Sequence, residues 1–437
     1  MAQTFQNIRG TFDILPEAST TDGTTIAGSA AWQFVESTIR RVLSRFNLVE
    51  IRTPILEDTE LIARGVGQHT DIVTKEMFAF ERGEDHYVLR PEITAPVMRA
   101  YLQHHLQQRG GAQKLFYIGP CFRAERPQKG RYRQFHQFGC EVIGAEDPRA
   151  DVEVIASMLA VYEELGIGRN ELRINTLGSP ETRPVYVDAL KAHFEPHRAR
   201  LSDVSRNRLD TNPLRILDTK EGNERELVAK APRLIDFVDE ESRAHYDQVK
   251  TLLDDLDIVY TEDPFLVRGL DYYTHTAFEL ENPALGAQRA LAGGGRYDLL
   301  ARDLGASRPV GAVGFAAGIE RLFLALQAQN VVLPGTPVPD VFLVALGDVA
   351  ARWVFREAQR LRREGLRVAL DLKGRSMKAQ MREADRQKAP STLIVGDDEL
   401  AAGVVQMKNM GSGDQIEIPI SEVNAYVRGL RTETTTR

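Results

Sequence analysis

Residues 115–144 of the chain, LFYIGPCFRAERPQKGRYRQFHQFGCEVIG, leave little choice of local structure. Two apolar, β-rich runs, 115–122 and 135–143, flank a loop dense in Arg, Lys, Gly and Pro. That composition predicts an antiparallel hairpin with a long exposed tip. In the second run the two-residue period of a strand puts Gln137, Gly139 and Glu141 on one face and Phe138, Cys140 and Val142 on the other. One face is then core, and the other is a polar floor of amide, bare backbone and carboxylate. Arg123 and Glu125 share a face if the first strand continues. Segment 123–133 carries five basic residues against one acid in a chain of formal net charge −7. A basic loop is ordinarily a solvated surface. At the mouth of a strand with inward polar groups, it points to phosphate binding.

At 437 residues the chain has room for about three domains of roughly 150 residues. No apolar run approaches the ~20 residues of a membrane helix, and no N-terminal apolar signal is present, so a cytoplasmic protein without membrane contact is expected. The two cysteines, Cys121 and Cys140, lack CxxC spacing and read as reduced thiols on the hairpin. The histidines contain no HExxH pair, which argues against a zinc site. The acidic total excludes a sequence-blind nucleic-acid coat but allows an RNA partner that meets local basic patches.

The stretch FRAERPQKGRYRQFHQFGCE closely resembles motif 2 of histidyl-tRNA synthetases, members of the class II aminoacyl-tRNA synthetases, and the resemblance runs over most of the chain. The turn-rich opening, residues 8–16, is similar to the start of that family. Residues 19–28 are polar, read as a flexible surface loop, and stand as an insertion relative to the family pattern with no function assigned. Trp32, Val35, Ile39, Val42, Leu43 and Phe46 follow helical spacing, and a strand is expected over 49–55, at an edge because of Pro54. The resemblance makes this motif 1, which builds a homodimer interface. Glu92-Ile93-Thr94 reads by itself as a helix-start cap. The resemblance instead makes Glu92 and Thr94 acceptors for the α-ammonium of the substrate, with Ile93 where the family has a smaller or more flexible residue.

Residues 151–165 predict an amphipathic helix, and 174–262 carry charged helical patterns without a chemical motif. Phe265-Leu266-Val267-Arg268-Gly269-Leu270-Asp271-Tyr272-Tyr273 and Ala292-Gly293-Gly294-Gly295-Arg296-Tyr297-Asp298 match the two histidine-specific motifs of the family almost letter for letter. The triple glycine alone says only that something approaches the backbone closely. Residues 310–326 predict a strand entering a helix with Ile319, Leu322, Phe323 and Leu326 toward the core. Arg321 lies off that stripe, as an exposed helical arginine would, and the resemblance makes it the motif 3 arginine of the ATP phosphates. After a Pro/Gly-rich linker, alternating strands and helices predict a small α/β domain with a largely parallel sheet. Its basic stretch, 373–388, fits either a solvated helix face or RNA.

The resemblance implies an α+β catalytic core built on an antiparallel sheet (residues 1–173 and 263–330), a mostly helical insertion at 174–262 that clamps the tRNA acceptor arm, a linker at 331–339, and a C-terminal α/β anticodon-binding domain at 340–437. It implies a homodimeric ligase that activates L-histidine with ATP and Mg2+, releases pyrophosphate, and moves histidine to the 3′ end of tRNA(His). No Walker A or dinucleotide fingerprint occurs, so ATP falls to arginines over an antiparallel floor. Arg123 and Arg268 are expected to flank the α-phosphate and the reacting carboxylate as the catalytic pair. Arg321 and Arg131 take the phosphates, Phe135 stacks on adenine and Glu125 fixes the nucleotide. Glu141 and Tyr273 grip the imidazole, Gln137 and Tyr272 complete the pocket, and no metal ligand comes from a protein motif. The rival is a catalytically inactive paralogue, the histidine-sensing regulatory subunit of ATP phosphoribosyltransferase, which typically lacks the C-terminal domain.

Overall fold

The computed structural model describes residues 5–435 except Asp22, His69 and Lys220. The chain forms two compact units that divide between Pro334 and Gly335. The larger is organised on an eight-stranded sheet, in the order Tyr260–Glu262, Glu171–Thr176, Thr274–Glu281, Ala290–Arg296, Ala312–Gly318, Gln134–Ile143, Gln113–Phe122, Val49–Glu50. The six inner strands pair antiparallel, and only the two short edge strands join in parallel. The expected hairpin is the last inner pair, with Gly139 opposite Tyr117 and Glu141 opposite Leu115.

Residues directly opposite on neighbouring strands share a face. Phe138, Cys140, Val142, Phe315 and Phe278 therefore all point to one side, where they are buried. Helices cover that side because their apolar stripes match it: Trp32, Val35, Ile39 and Val42 from Ser29–Arg45, Ile155, Met158 and Tyr162 from Pro148–Glu164, and Ile319, Leu322 and Leu326 from Ile319–Ala328. The Pro148–Glu164 helix starts where Asp147 accepts the Arg149 N–H at 2.9 Å, with proline in the first turn. On the opposite face one row runs Tyr117, Gly139, Ala316, Gly293, Glu279. Three consecutive central strands contribute almost no side chain to this row, so the sheet carries a groove.

The structure revises several expectations. Within 19–28, Ser19–Thr21 pairs antiparallel with Thr24–Ile26, and Thr24 and Ile26 are buried, so alternating burial overrides the loop-like composition. The strand expected over 49–55 shortens to Val49–Glu50. Beyond it Leu56–Asp58 joins a separate three-stranded sheet with Asp85–Leu89 and Phe78–Arg82. Residue 174 falls inside the Glu171–Thr176 strand of the large sheet, and the helix Glu240–Asp255 sends Tyr246, Val249 and Leu253 into the main core. The intervening segment has its own small core, from Tyr186 to Leu234.

The smaller unit has a five-stranded sheet ordered Val368–Leu370, Val341–Leu346, Ser391–Gly396, Val404–Asn409, Gln415–Pro419. The first three are parallel and the last two antiparallel, so the sheet is mixed. The basic helix is Met377–Arg386, with Lys378, Arg382 and Arg386 exposed. Among the described residues no helix is long and apolar enough to cross a membrane.

Phe138 is fully buried with its ring 5.8 Å from Phe315. Phe138→Ala should cost about 3–5 kcal/mol through the cavity it leaves. Each unit holds one of the two tryptophans, Trp32 and Trp353, so fluorescence-detected urea unfolding in a Trp353→Phe background reads the larger unit alone. A loss below about 1 kcal/mol would mean that this core collapses around the gap.

Candidate active site

The groove widens into a cleft of about 230 Å³. Its floor is the side-chain-poor row, and its walls come from five separate stretches of chain. Of the residues singled out in the sequence, Glu92, Thr94, Arg123, Glu125, Arg131, Phe135, Gln137, Arg268, Tyr272, Tyr273 and Arg321 all line it. Glu141 does not. It lies behind the wall, 1 % exposed.

Each arginine is aimed by a local partner. The Arg123 Nε donates to the Pro91 carbonyl at 3.0 Å, and its guanidinium carbon stands 5.3 Å from the centre of the Phe135 ring. Arg131 Nη1 donates to Glu125 Oε2 at 3.0 Å, while the other Glu125 oxygen is 3.9 Å from Arg123. Arg268 Nη1 donates to Glu279 Oε2 at 2.5 Å, and the guanidinium faces the Tyr273 ring at 5.9 Å. A Cβ on Gly293 would collide with the Arg268 guanidinium, so glycine there lets the arginine lie on the sheet. Arg321 Nη1 donates to the Ala290 carbonyl at 2.8 Å and has no carboxylate partner among the described residues. Burial and then the neighbouring Arg131 push the Arg321 guanidinium below its usual range, whereas burial of Arg268 is outweighed by Glu279, which leaves it raised. Arg321 thus keeps a buried charge with a carbonyl rather than a carboxylate as its partner among the described residues, an arrangement suited to an anion.

Glu92 stands at the start of a helix, as its local sequence predicts, and also faces the cleft. From the position before the N-cap Ile93, its carboxylate accepts the first two N–H groups of the helix Thr94–Gln103, those of Thr94 and Ala95, each at 2.8 Å. Burial raises its carboxyl in spite of these donors. Ile93 is buried away from the cleft in an apolar cluster with Val97, Met98 and Tyr117. Glu141 accepts from Thr94 Oγ1 at 2.7 Å, Tyr117 OH at 3.2 Å and Tyr297 OH at 2.5 Å. The missing side chain of Gly314 makes room for it. Burial pushes the Glu141 carboxyl up to about 8 against these hydroxyl donors. Both cysteines are buried free thiols, and burial pushes Cys121 up to about 12.

Several site residues had escaped the sequence reading. Glu279 sits in the floor row opposite Gly293, a place that strand alternation could have shown. Tyr297 lies within the second histidine-specific motif. Glu320 accepts the His136 backbone N–H at 2.9 Å and the His136 Nδ1 contact at 2.9 Å; nothing in the local pattern distinguishes it from a solvent-facing helical glutamate. As for a metal, no group of three or more His, Cys, Asp or Glu is arranged to hold one among the described residues. Of the four glutamates lining the cleft, Glu125 and Glu279 are engaged by arginines, Glu92 by backbone N–H groups and Glu320 by His136. A Mg2+ ion fits here only as one carried largely by phosphate oxygens.

Residues 29–322 match the family model described as histidyl-tRNA synthetase, and 340–430 match the anticodon binding domain model. The histidine–tRNA ligase of Chloroherpeton thalassium is 49 % identical over 436 residues, 99 % of either chain. That of Staphylococcus aureus is 45 % identical over 425 residues, 96 % of this chain and 99 % of its own. Among solved structures, the apo S. aureus histidyl-tRNA synthetase superposes with a TM-score of 0.80 at 39 % identity, covering 97 % of this chain and all of that one.

Removal of the Glu141 charge should show in stability. A carboxyl whose folded value lies near 8 stabilises the fold fully below its usual 4.5, and that contribution is lost as pH rises toward 8. Glu141→Gln does not titrate. Its stability relative to the parent should therefore improve by about 1–3 kcal/mol between pH 5 and pH 8, measured by chemical unfolding at intervals across that range. A flat difference would show that the carboxyl is ionised throughout.

Proposed function

Because this chain belongs to the histidyl-tRNA synthetase family, we propose that the cleft activates histidine with ATP before the amino acid is joined to tRNA. The chain is an ATP-dependent histidine–tRNA ligase. The observation that carries the division of labour is the convergence of Arg123, Arg131, Arg268 and Arg321 over a floor almost bare of side chains.

In this reading an oxygen of the histidine carboxylate attacks the α-phosphorus of ATP. The bond to the bridging oxygen breaks, pyrophosphate leaves with that electron pair, and the mixed anhydride histidyl-adenylate remains. Attack by a ribose hydroxyl at the 3′ end of tRNA on the anhydride carbonyl then releases AMP. Negative charge gathers around the α-phosphate in the first step, so catalysis rests on positioning and electrostatics. Arg123 and Arg268 meet that charge, Arg131 and Arg321 hold the outer phosphates, Phe135 supports adenine, and Glu125 fixes the nucleotide. Mg2+ entering with ATP would neutralise phosphate charge, with Glu125 and Glu279 among the carboxylates within the cleft. Glu92 and Thr94 take the α-ammonium. Gln137, Tyr272 and Tyr273 surround the imidazole, and Glu141 supports the pocket from behind through Thr94. The site would then reject apolar side chains of similar size, since they would leave these polar groups unpaired.

Motif 1 would pair two copies of the chain. Val49, Ile55, Leu56 and Phe80 expose apolar surface along it and along the adjacent small sheet, as a self-complementary interface requires. The segment at 177–238 would hold the acceptor arm and the smaller unit the anticodon, in the cytoplasm. The regulatory-subunit reading is disfavoured, since the smaller unit matches an anticodon binding domain.

Histidine-dependent exchange of pyrophosphate into ATP tests the whole reading; its absence with folded protein would overturn it. Arg268→Ala should lower kcat for exchange by about 10²–10³-fold while the KM for ATP stays within about threefold. An unchanged kcat would remove Arg268 from the chemistry. Truncation after Pro334 should keep exchange within about threefold but reduce charging of tRNA by at least about tenfold, once sedimentation has shown the oligomeric state unchanged. Full charging by the truncated form would mean that the smaller unit does not read tRNA.

A further inference from the structure

The stretch that carries Arg268, Tyr272 and Tyr273 has no regular secondary structure between the strands Tyr260–Glu262 and Thr274–Glu281. Its shape must come from tethers outside it. Asp271 lies within it and collects four of them; elsewhere the Leu266 carbonyl accepts from Asn175 Nδ2 at 3.0 Å, and Phe265 and Val267 pack against the small core of the helical segment. Arg183, in the first turn of the helix Thr182–Phe194, donates Nη1 to the Asp271 carbonyl at 2.8 Å and Nη2 to its Oδ1 at 2.9 Å. Asn212, at the end of the helix Asp203–Thr211, donates Nδ2 to the same Oδ1 at 3.2 Å. The Asp271 N–H donates to the Val66 carbonyl at 3.1 Å. At Gly67, with φ of +106°, a Cβ would stand 2.5 Å from the other Asp271 oxygen. Two residues earlier, Arg215 Nη1 donates to the Gly269 carbonyl at 3.4 Å.

We propose that the helical segment at 177–238 is a positioning element for histidine activation: Arg183 and Asn212 clamp Asp271 and thereby fix Arg268 and Tyr273 beside the reacting carboxylate. The proposal rests on the activation reading of the cleft. It departs from the role expected for this segment, which is contact with tRNA alone. The Arg183–Asp271 pair is partly exposed, at 38 % and 28 % of the two side chains, so its charge attraction is screened and contributes little to stability. The fork of the guanidinium, however, grips backbone and side chain of one residue at once, which is a geometric constraint. A loop held this way keeps Arg268 in register with the α-phosphate, and displacement of about 1 Å at such a site costs about 10²-fold in rate.

The test uses the full-length enzyme, tRNA-free, in histidine-dependent pyrophosphate exchange. The parent enzyme tests the activation reading by itself. Arg183→Ala should lower kcat at least about tenfold, leave the KM for ATP within about twofold, and leave the unfolding midpoint in place. Arg183→Lys, with charge but no fork, should recover only part of the loss. In the Arg183→Ala/Asp271→Asn double variant the losses should fail to multiply, because both break one contact. Amide hydrogen exchange over residues 264–273 should quicken in Arg183→Ala while the strand Thr274–Glu281 keeps its protection, a readout independent of any activity. Asn212→Ala carries the same measurements if Arg183→Ala does not fold. An unchanged kcat in a folded variant, multiplying losses, or unaltered exchange over 264–273 would each overturn the clamp.

Discussion

The floor of the cleft is defined by what it lacks. Along the row Gly139, Ala316, Gly293 three adjacent antiparallel strands present backbone and a single methyl group. A ligand and the Arg268 guanidinium can therefore lie directly on the sheet. An ordinary strand residue at 293 would lift Arg268 off its surface. Everything above the floor depends on this: the arginines reach a common centre only because the sheet does not fill the space itself. The opposite face of the same strands is close-packed with Phe138, Phe315 and Phe278, which keeps the floor rigid.

Charge is organised around that groove by pairing. Glu125 and Glu279 hold Arg131 and Arg268 at fixed positions, at the modest cost of neutralising part of their charge. Arg321 is left with a carbonyl as its partner among the described residues, and burial together with Arg131 makes its charge unfavourable. Such a site gains more from an incoming phosphate than a solvated arginine would, because the desolvation has already been paid within the folding free energy. The same economy of position appears at Glu141, where three hydroxyls surround a carboxyl that burial drives toward the neutral form.

The loop at 264–273 shows how the larger unit joins its parts. It carries four residues of the cleft lining yet has no ladder of its own, and its hydrogen bonds run to residues 66, 175, 183, 212, 215 and 279. The helical segment that supplies three of these contacts has its own core, from Tyr186 to Leu234. Phe265 and Val267 of the loop pack against that core as well, so the segment holds the loop next to Arg268 by apolar burial in addition to directional contacts.

The sequence by itself determined the elements and the chemistry. Alternation in 135–143 separated core from floor, helical spacing from Trp32 to Phe46 and from Ile319 to Leu326 marked the helices found at Ser29–Arg45 and Ile319–Ala328, and the motifs named eleven residues that line one cleft. Those signals are local, so a single chain carries them. Tertiary structure alone decided which residues hold them in place. Glu279 and Arg268, eleven positions apart, meet only because the 264–273 loop folds back over the strand. Glu320 reaches His136 from a helix 184 residues later, and Asp271 finds Arg183 across 88. The buried Thr24–Ile26 strand had loop-like composition, and the placement of Glu141 behind the wall followed from the bulk of Tyr117 and Tyr297. Periodicity reports which face a side chain takes; it carries no record of what stands opposite once distant strands close on one another.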